Sequence, residues 1–130
     1  MTSDFISISE LARRTGLTAH TLRFYESAGV LNSIKRAANG HRRYHSDDIL
    51  WLEFVLKLKL TGMPLAEIKE YARIRSQGEM TLPERLAMLK LHRERLVAKM
   101  VELSEYANAL DEKILTYRKM VARSKAQKKR

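Results

Sequence analysis

Residues 8–30 read ISELARRTGLTAHTLRFYESAGV, and this stretch decides the fold. The SISE sequence at residues 7–10 has the spacing of a capping box, in which a hydroxyl and a carboxylate satisfy the first free N–H groups of a helix. We therefore predict a short helix that starts at Ile8. It stops near Gly16, because glycine readily adopts the positive φ that a helix C-terminus favours.

A second helix is predicted directly after this stop. Thr18 caps it, and Gly29 ends it after about two and a half turns. Two short helices joined by a tight turn that contains glycine are typical of a helix-turn-helix unit, whose second helix can lie in the major groove of DNA. Turn-linked helix pairs also occur in proteins that never bind DNA, so this pattern alone leaves both interpretations open.

The segment after these helices is expected to form a β-hairpin. Asn39-Gly40 lies between two short β-capable stretches, and a type I′ turn requires the positive φ that these two residues tolerate. The predicted strands carry few large apolar groups, so the hairpin must lean on the helices with its basic side outward, as a wing. Its basic side chains are those of Lys35, Arg36, Arg42 and Arg43.

Two longer helices should build the core. The Ser-Asp-Asp sequence at residues 46–48 starts one of them with a hydroxyl cap and two carboxylates at its positive end. Residues 49–60 are strongly apolar, and we interpret Trp51 as an anchor packed in the core or against a partner subunit rather than as a ligand platform. Gly62 ends this helix, and the next one runs from residues 63–65 to about Arg75.

A heptad pattern follows. Residues 81–84 repeat the capping-box spacing, and neither Gly nor Pro occurs after Pro83, which predicts one helix of about 40 residues and about 60 Å. An exposed apolar seam is a liability unless a second chain covers it, so we predict a dimerisation coiled coil, in which the polar Arg93 sets register. A hairpin within one chain is the alternative, which the absence of a helix break disfavours. The predicted seam consists of Leu82, Leu86, Leu89, Arg93, Leu96, Met100, Leu103, Ala107, Leu110, Ile114, Tyr117 and Val121.

Composition limits the classes of function. The chain has 130 residues, 25 Lys and Arg against 15 Asp and Glu, and no cysteine, which excludes disulfides, thiolate metal sites and thiol chemistry. Residues 1–46 carry 7 basic and 3 acidic groups, residues 47–117 carry 11 and 12, and residues 118–130 carry seven and none. Basic ends indicate a polyanionic partner. No apolar run is long enough to span a membrane, so we expect no membrane partner and a soluble, cytoplasmic protein.

The expected fold is all-α with a small β-hairpin wing. We predict a winged helix-turn-helix DNA-binding domain over residues 1–77, a coiled-coil dimerisation helix over residues 78–121 and a frayed basic tail over residues 122–130. A dimer of such units would engage two half-sites of a DNA duplex. Ala19, His20 and Thr21 would then reach base edges, although His20 is equally well explained as a solvated surface histidine.

Arginine and lysine side chains near this surface would add affinity without sequence information. Arg23 is placed for a phosphate or a base, and Lys59 for a phosphate. The wing residues Arg36, Arg42 and Arg43 are likewise expected to clamp phosphates.

Three motifs occur in a fixed order: TLRFYE at residues 21–26, NGHRRY at residues 39–44 and GMPL at residues 62–65. In this order they resemble the MerR family of bacterial transcription regulators, and the resemblance extends over nearly the whole chain. It implies a winged-helix domain, an antiparallel dimerising coiled coil and an operator between the two promoter elements. Family members distort an overlong promoter spacer, which implies RNA polymerase as a further partner.

The resemblance also assigns residues. It implies that Arg23, Tyr25, Arg42, Tyr44 and Lys59 grip the DNA backbone. His41 stands where the family usually has tyrosine after the wing glycine, and it adds a pH-dependent donor there. The complete expected DNA-binding set is Thr18, Ala19, His20, Thr21, Arg23, Phe24, Tyr25, Arg36, Gly40, His41, Arg42, Arg43, Tyr44 and Lys59.

The effector is not evident from the residues. Residues 51–54, 58–63 and 68–71 look most like the branch that answers aldehydes or nitrosative stress through a cysteine in the core helix, but Lys57 occupies that position here. Lys57 is either an amine that meets a carbonyl or an exposed, protonated helix lysine, and we favour the second interpretation. The four histidines have no convincing ligand spacing, so we expect no metal and no cofactor.

Three hypotheses of function can be compared. We favour a dimeric promoter-binding regulator. A coiled-coil adaptor whose basic surface meets an acidic protein is the alternative, and it predicts duplex affinity no better than salt-dependent background. We do not expect an enzyme, because the sequence has no recognisable nucleophile and base pair, phosphate loop or metal cluster.

Overall fold

The structure, a computed structural model, describes residues 5–32 and 43–128. These residues divide into two compact units, one that ends at Lys90 and one that starts at Leu91. The regular elements in chain order are β1 (Phe5–Ser7), α1 (Ile8–Thr15), α2 (Ala19–Ser27), β2 (Arg43–His45), α3 (Asp48–Leu60), α4 (Leu65–Arg75), a 3-10 turn (Glu79–Thr81) and α5 (Leu82–Lys128). The expected turn at Asn39-Gly40 lies outside the described residues, as do Arg36, His41 and Arg42.

The two short helices begin and end where the sequence predicts. The Ser7 hydroxyl accepts a hydrogen bond of 3.2 Å from the backbone N–H of Glu10, which caps α1. Gly16 ends α1 with a φ of 75°, a left-handed conformation that a Cβ atom would disfavour. The Thr18 hydroxyl accepts a bond of 3.1 Å from the N–H of Thr21 and caps α2. The helix-turn-helix prediction is therefore confirmed.

The described sheet has two antiparallel strands, and one of them was not predicted. Strand β1 pairs with β2 so that Ile6 lies opposite Tyr44 and Ser7 opposite Arg43. Because β1 comes directly before α1, the sheet joins the base of the expected wing to the start of the helix-turn-helix unit. Three residues are too few to show strand alternation in a sequence, and pairing with residues about 40 positions away is what makes them a strand.

The core of the first unit centres on α3. Trp51 is 6% exposed, and its indole Nε1–H donates a bond of 2.8 Å to the carbonyl of Val30. Its ring stacks on Tyr71 of α4 with centroids 5.9 Å apart, and the guanidinium of Arg75 lies 4.1 Å from its centroid. Trp51 therefore anchors the residues after α2 and the helix α4 onto α3, as one of the two predicted alternatives required.

The predicted cap of α3 is wrong in detail. The backbone N–H of Ile49 bonds to the carbonyl of Ser46, not to its hydroxyl, and the N-cap residue Asp47 makes no side-chain capping bond. The carboxylate of Asp48 instead accepts a bond of 3.1 Å from the backbone N–H of His45. This bond fixes the last residue of β2 against the first residue of α3.

The capping box predicted before α5 is also replaced by a different contact. The Thr81 hydroxyl donates to the carbonyl of Ile74 at 2.7 Å and accepts a bond of 3.1 Å from Nε of Arg85. Thr81 is 3% exposed, so this hydroxyl is satisfied in the interior and ties the end of α4 to the start of α5.

Helix α5 is longer than expected, and its first turns belong to the core of the first unit. Met88 and Leu89 are half-buried against that core, so the seam residue Leu89 is partly covered within its own chain. At the other end, residues 122–128 are helical rather than frayed. Alanine, lysine, arginine and glutamine have high helix propensity, and extending an existing helix needs no new nucleation.

Candidate nucleic-acid interface

The first turn of α2 presents short polar side chains to solvent. Thr18 closes the helix start through its bond to Thr21, and the two hydroxyls are 3.0 Å apart. His20 is exposed, while Ala19 and Thr21 are half-buried. A rigid, capped helix start with small neighbours allows close approach of a nucleic-acid groove, which suits direct contact with base edges.

Arg23 follows on the same helix and differs from the arginines of α1. Arg13 and Arg14 both bind the carboxylate of Glu10, Arg14 with Nε 2.6 Å from Oε1. Arg23 is exposed and has no ion pair or hydrogen bond with the described part of the chain. Its charge is therefore available to a phosphate group.

A cavity of about 390 Å³ lies beside this turn of α2. It brings together parts of α2, the end of α3 and the start of α4, and Lys59 is the lysine among its lining residues. Phe24 is 49% exposed there, so part of its ring is open to a ligand. The described lining residues are His20, Thr21, Phe24, Tyr25, Lys59, Met63, Leu65 and Ile68.

Three of these residues were not predicted as part of the site. Met63, Leu65 and Ile68 form the apolar floor, and Met63 and Ile68 are also core residues. The GMPL motif at residues 62–65 was the available signal, since a glycine with φ of 93° at Gly62 turns the chain back toward α2.

The two predicted tyrosines are buried. Tyr25 is 4% exposed, and its hydroxyl makes no hydrogen bond to a described residue, so only the part of it that lines the cavity can meet a ligand. Tyr44 is fully buried, and its hydroxyl donates a bond of 2.9 Å to Oε2 of Glu26. This bond holds β2 against α2, and the expectation that Tyr44 also contacts DNA stays a prediction.

Among the described residues, Arg43 of strand β2 is the wing residue of the predicted set with an exposed side chain. The Arg43 side chain is exposed, and it makes no ion pair or hydrogen bond with residues 5–32 or 43–128. The residues that follow Arg43 are held by local hydrogen bonds: the backbone N–H of Asp47 donates to Nδ1 of His45 at 3.1 Å. Burial raises the pKa of Asp48 above its ordinary value of 3.8, against the lowering effect of the His45 N–H bond.

Other chemistry finds no support among the described residues. No group of three or more His, Asp or Glu side chains there could hold a metal ion. Lys57 is exposed on α3, in line with an ordinary surface lysine. Within residues 5–32 and 43–128 no helix combines the length and apolar character needed to cross a membrane.

Comparison with known proteins defines the class first. A family profile described as "MerR, DNA binding" matches residues 49–113, from α3 into α5, which places the chain among DNA-binding transcription regulators and not among enzymes. A second profile, described as "MerR HTH family regulatory protein", matches residues 6–73. The chain belongs to the MerR family, which confirms the resemblance inferred from its motifs.

Individual relatives agree with this assignment. An uncharacterized HTH-type transcriptional regulator of Haemophilus influenzae is 34% identical over 114 residues, 88% of this chain and 84% of its own. HTH-type transcriptional regulator AdhR of Bacillus subtilis is 35% identical over 92 residues, 71% of this chain and 66% of its own.

A solved structure extends the comparison to a complex. The structure of HiNmlR, a MerR family regulator lacking the sensor domain and bound to promoter DNA, matches with a TM-score of 0.78 at 33% identity, over 91% of this chain and 94% of that one. A MerR family regulator from Listeria monocytogenes matches with a TM-score of 0.79 at 29% identity, over 86% of this chain and 85% of that one.

Proposed function

We propose that the chain acts as a homodimer that binds a two-fold-symmetric promoter operator and distorts the spacer to control RNA polymerase. The observation that carries this proposal is the exposed, capped start of α2 with Arg23, which has no ion pair within the described part of the chain, and Lys59, which lines the adjoining cavity. Residues 18–21 read bases, and the neighbouring cations bind phosphates. The similar protein HiNmlR was solved bound to promoter DNA, which supports promoter DNA as the partner.

The apolar side chains of α5 support the dimer. The large seam side chains from Met100 to Val121 are 46% to 64% exposed, and Leu82 and Leu86 in the first unit are each 53% exposed. A row of half-exposed apolar residues at heptad spacing favours pairing with a second copy of the same helix. Two copies then present two α2 helices to two half-sites of one duplex.

The signal that the regulator answers reaches it without a thiol, because the chain has no cysteine. A small molecule or a stress-derived compound would act by changing the fraction of dimers that hold the distorting conformation. We place this activity in the cytoplasm, since a bacterial promoter and RNA polymerase are found there.

Footprinting on the promoter next to the chain's own gene tests the proposal, with competitor DNA and at two salt concentrations. We expect a short, two-fold-symmetric footprint that survives competitor and weakens steeply as salt rises. Weak protection everywhere, erased by competitor, contradicts the proposal and favours the adaptor hypothesis.

Two variants locate the interface. Arg23→Ala should weaken operator binding, whereas Arg13→Ala, which removes an arginine already paired with Glu10, serves as the matched control. Arg42→Ala together with Arg43→Ala should remove most of the affinity. Unchanged operator binding in that double variant contradicts the assignment of the wing.

A further inference from the structure

The last turns of α5 are cationic on a scale found nowhere else in the described residues. Residues 118–128, which we name the terminal cationic segment, are helical and exposed throughout. They contain no acidic residue, and the last carboxylate before them is that of Glu112. The basic residues of the segment are Arg118, Lys119, Arg123, Lys125 and Lys128.

These cations have no partner within the part of the chain that the structure describes. Elsewhere basic side chains pair on their own helix, as Arg73 does with Glu70 at 2.6 Å and Lys99 with Glu102 at 4.0 Å. No such ion pair involves the terminal cationic segment. Its charge is therefore free to act on another molecule.

Helix stability explains only part of this charge. Cations at a helix C-terminus interact favourably with the macrodipole, but the effect falls off within the last turn, which contains Lys125 and Lys128. Lys119 and Arg123 lie before that turn and four residues apart. Like charges at this spacing repel, so the charges of these two side chains do not stabilise the helix that carries them.

The helical repeat places this pair away from the predicted seam. At 3.6 residues per turn, Lys119 and Arg123 fall on the face roughly opposite Tyr117 and Val121. A second helix that covers the seam therefore leaves both cations exposed. The pair forms a charged surface that dimerisation does not use.

We infer that the terminal cationic segment binds phosphate groups of the DNA duplex, as a contact separate from α2 and the wing. The inference rests on the proposed homodimer, whose α5 helices the family resemblance implies to be antiparallel. In an antiparallel pair the end of one α5 lies beside the start of the partner's α5, and the first turns of that helix belong to the unit that also contains α2. The segment of one copy is thereby brought toward the half-site that the other copy engages.

DNA is the partner that the charge and spacing fit. A duplex carries one phosphate per about 1.7 Å of its axis, and cations on successive helical turns can each meet one without reading sequence. The segment has the properties of such a contact: several cations, no carboxylate and an exposed helical surface.

The test uses a double variant that combines Lys119→Gln and Arg123→Gln, and it compares this variant with the unchanged protein. Affinity is measured against salt for the footprinted operator and for an unrelated duplex of equal length. Each lost phosphate contact lowers the slope of log affinity against log salt by about 0.9, so four lost contacts in a dimer should lower it by about 3 to 4. We expect operator affinity at low salt to fall on the order of tenfold or more, with a similar factor on the unrelated duplex.

Two controls make the result specific. Arg95→Gln with Lys99→Gln removes the same charge from the same helix at the same spacing, and it should change the slope far less. Lys119→Arg with Arg123→Lys keeps the charge and should retain the slope of the unchanged protein. Circular dichroism and light scattering should give the same helix content and dimer mass for all of these variants.

The outcomes separate this inference from the proposed function. If the unchanged dimer binds the operator selectively, and the two glutamine double variants have the same slope of log affinity against log salt, the inference is overturned but the proposed function is not. Absence of selective binding or of a dimer in the unchanged protein overturns both. A Lys119 and Arg123 variant that keeps its DNA slope but no longer binds purified RNA polymerase shows that the segment meets a protein instead, and it too overturns the inference.

Discussion

The hydroxyl group of Tyr44 donates a hydrogen bond of 2.9 Å to Oε2 of Glu26. Tyr44 is fully buried in β2, and Glu26 lies in the last turn of α2. The bond therefore joins the strand at the base of the wing to the helix that carries the expected base-reading residues. A motif residue that the family resemblance assigns to DNA therefore also fixes the orientation of β2 relative to α2.

Replacing Tyr44 with phenylalanine tests this role. The ring keeps its packing while the bond to a carboxylate is lost, so the free energy of unfolding should fall by about 1 to 2 kcal/mol. Tyr106→Phe is the matched control, because Tyr106 donates a bond of 2.8 Å to Glu102 on the exposed surface of α5. We expect that control to change stability by less than about 0.5 kcal/mol in urea unfolding. Equal losses for the two variants would contradict a structural role specific to Tyr44.

Lys59 should contribute to DNA affinity and Lys57 should not. Both are exposed on α3, but only Lys59 lines the cavity beside α2. Lys59→Gln removes a phosphate contact, so the slope of log operator affinity against log salt should fall by about 0.9 for each copy that makes the contact. Lys57→Gln makes the same charge change two residues away. The slopes are measured by fluorescence anisotropy at a series of salt concentrations. Indistinguishable slopes for the Lys59 and Lys57 variants would contradict a phosphate contact by Lys59.

The seam of α5 can be tested with two adjacent residues. Ile114 is 46% exposed and lies on the predicted seam, and Leu115 is 52% exposed and lies outside it. Ile114→Asp should shift the protein toward monomer, because a carboxylate would be buried in the pair of helices without a partner. Leu115→Asp introduces the same group at nearly the same exposure and should leave the dimer intact. Sedimentation velocity over a concentration series measures both, and a dimer that tolerates the Ile114 change would place the interface elsewhere.

From the ion pairs of Glu10 we expect the free energy of unfolding to fall in acid. Bonds from Arg13 and then Arg14 lower its pKa from 4.5 to about 2. Because the folded-state pKa is depressed, its stabilising contribution is present above pH 4.5 and is lost as the pH falls toward 2. Glu10→Gln should flatten this part of the stability profile. Urea unfolding across that pH range is the measurement, and identical profiles for the two proteins would contradict the ion-pair contribution.

For Asp48 we expect the opposite dependence of stability on pH. Burial raises its pKa above 3.8, so the folded state binds a proton at higher pH than the unfolded state does. The contribution of this group to stability therefore increases as the pH falls through the raised folded-state pKa. Asp48→Asn keeps an acceptor for the His45 N–H but does not titrate. The same unfolding series should show a smaller gain on mild acidification in this variant, and an unchanged gain would assign the effect to another group.

Local features of this chain were predictable because their causes are local. The caps at Ser7 and Thr18 and the positive φ at Gly16 depend on contacts within three or four residues, so spacing alone places them correctly. The continuous α5 follows in the same way from a heptad pattern without glycine or proline. The hydroxyl cap predicted at Ser46 failed because Asp47 takes the N-cap position and the backbone carbonyl of Ser46, not its hydroxyl, accepts from Ile49.

The candidate site was only partly predictable. The residue types at its centre, Thr21, Arg23 and Lys59, were identified from motifs and charge. The apolar floor of the cavity was not, because Met63 and Ile68 look like ordinary core residues in sequence. Nothing local distinguishes the buried Tyr44 from an exposed wing residue, since its partner Glu26 is 18 positions away.

The amino-acid sequence by itself determined the helices, their order, the cationic ends and the family to which the chain belongs, since each depends on spacing or composition. The tertiary structure decided which side chains remain available to a partner. It buried Tyr44 and half-buried Leu89, left Arg23 without an ion pair to residues 5–32 and 43–128, and placed Lys59 beside α2. The physical reason is that burial and hydrogen-bond partnership depend on contacts between distant segments, which no single stretch of sequence contains.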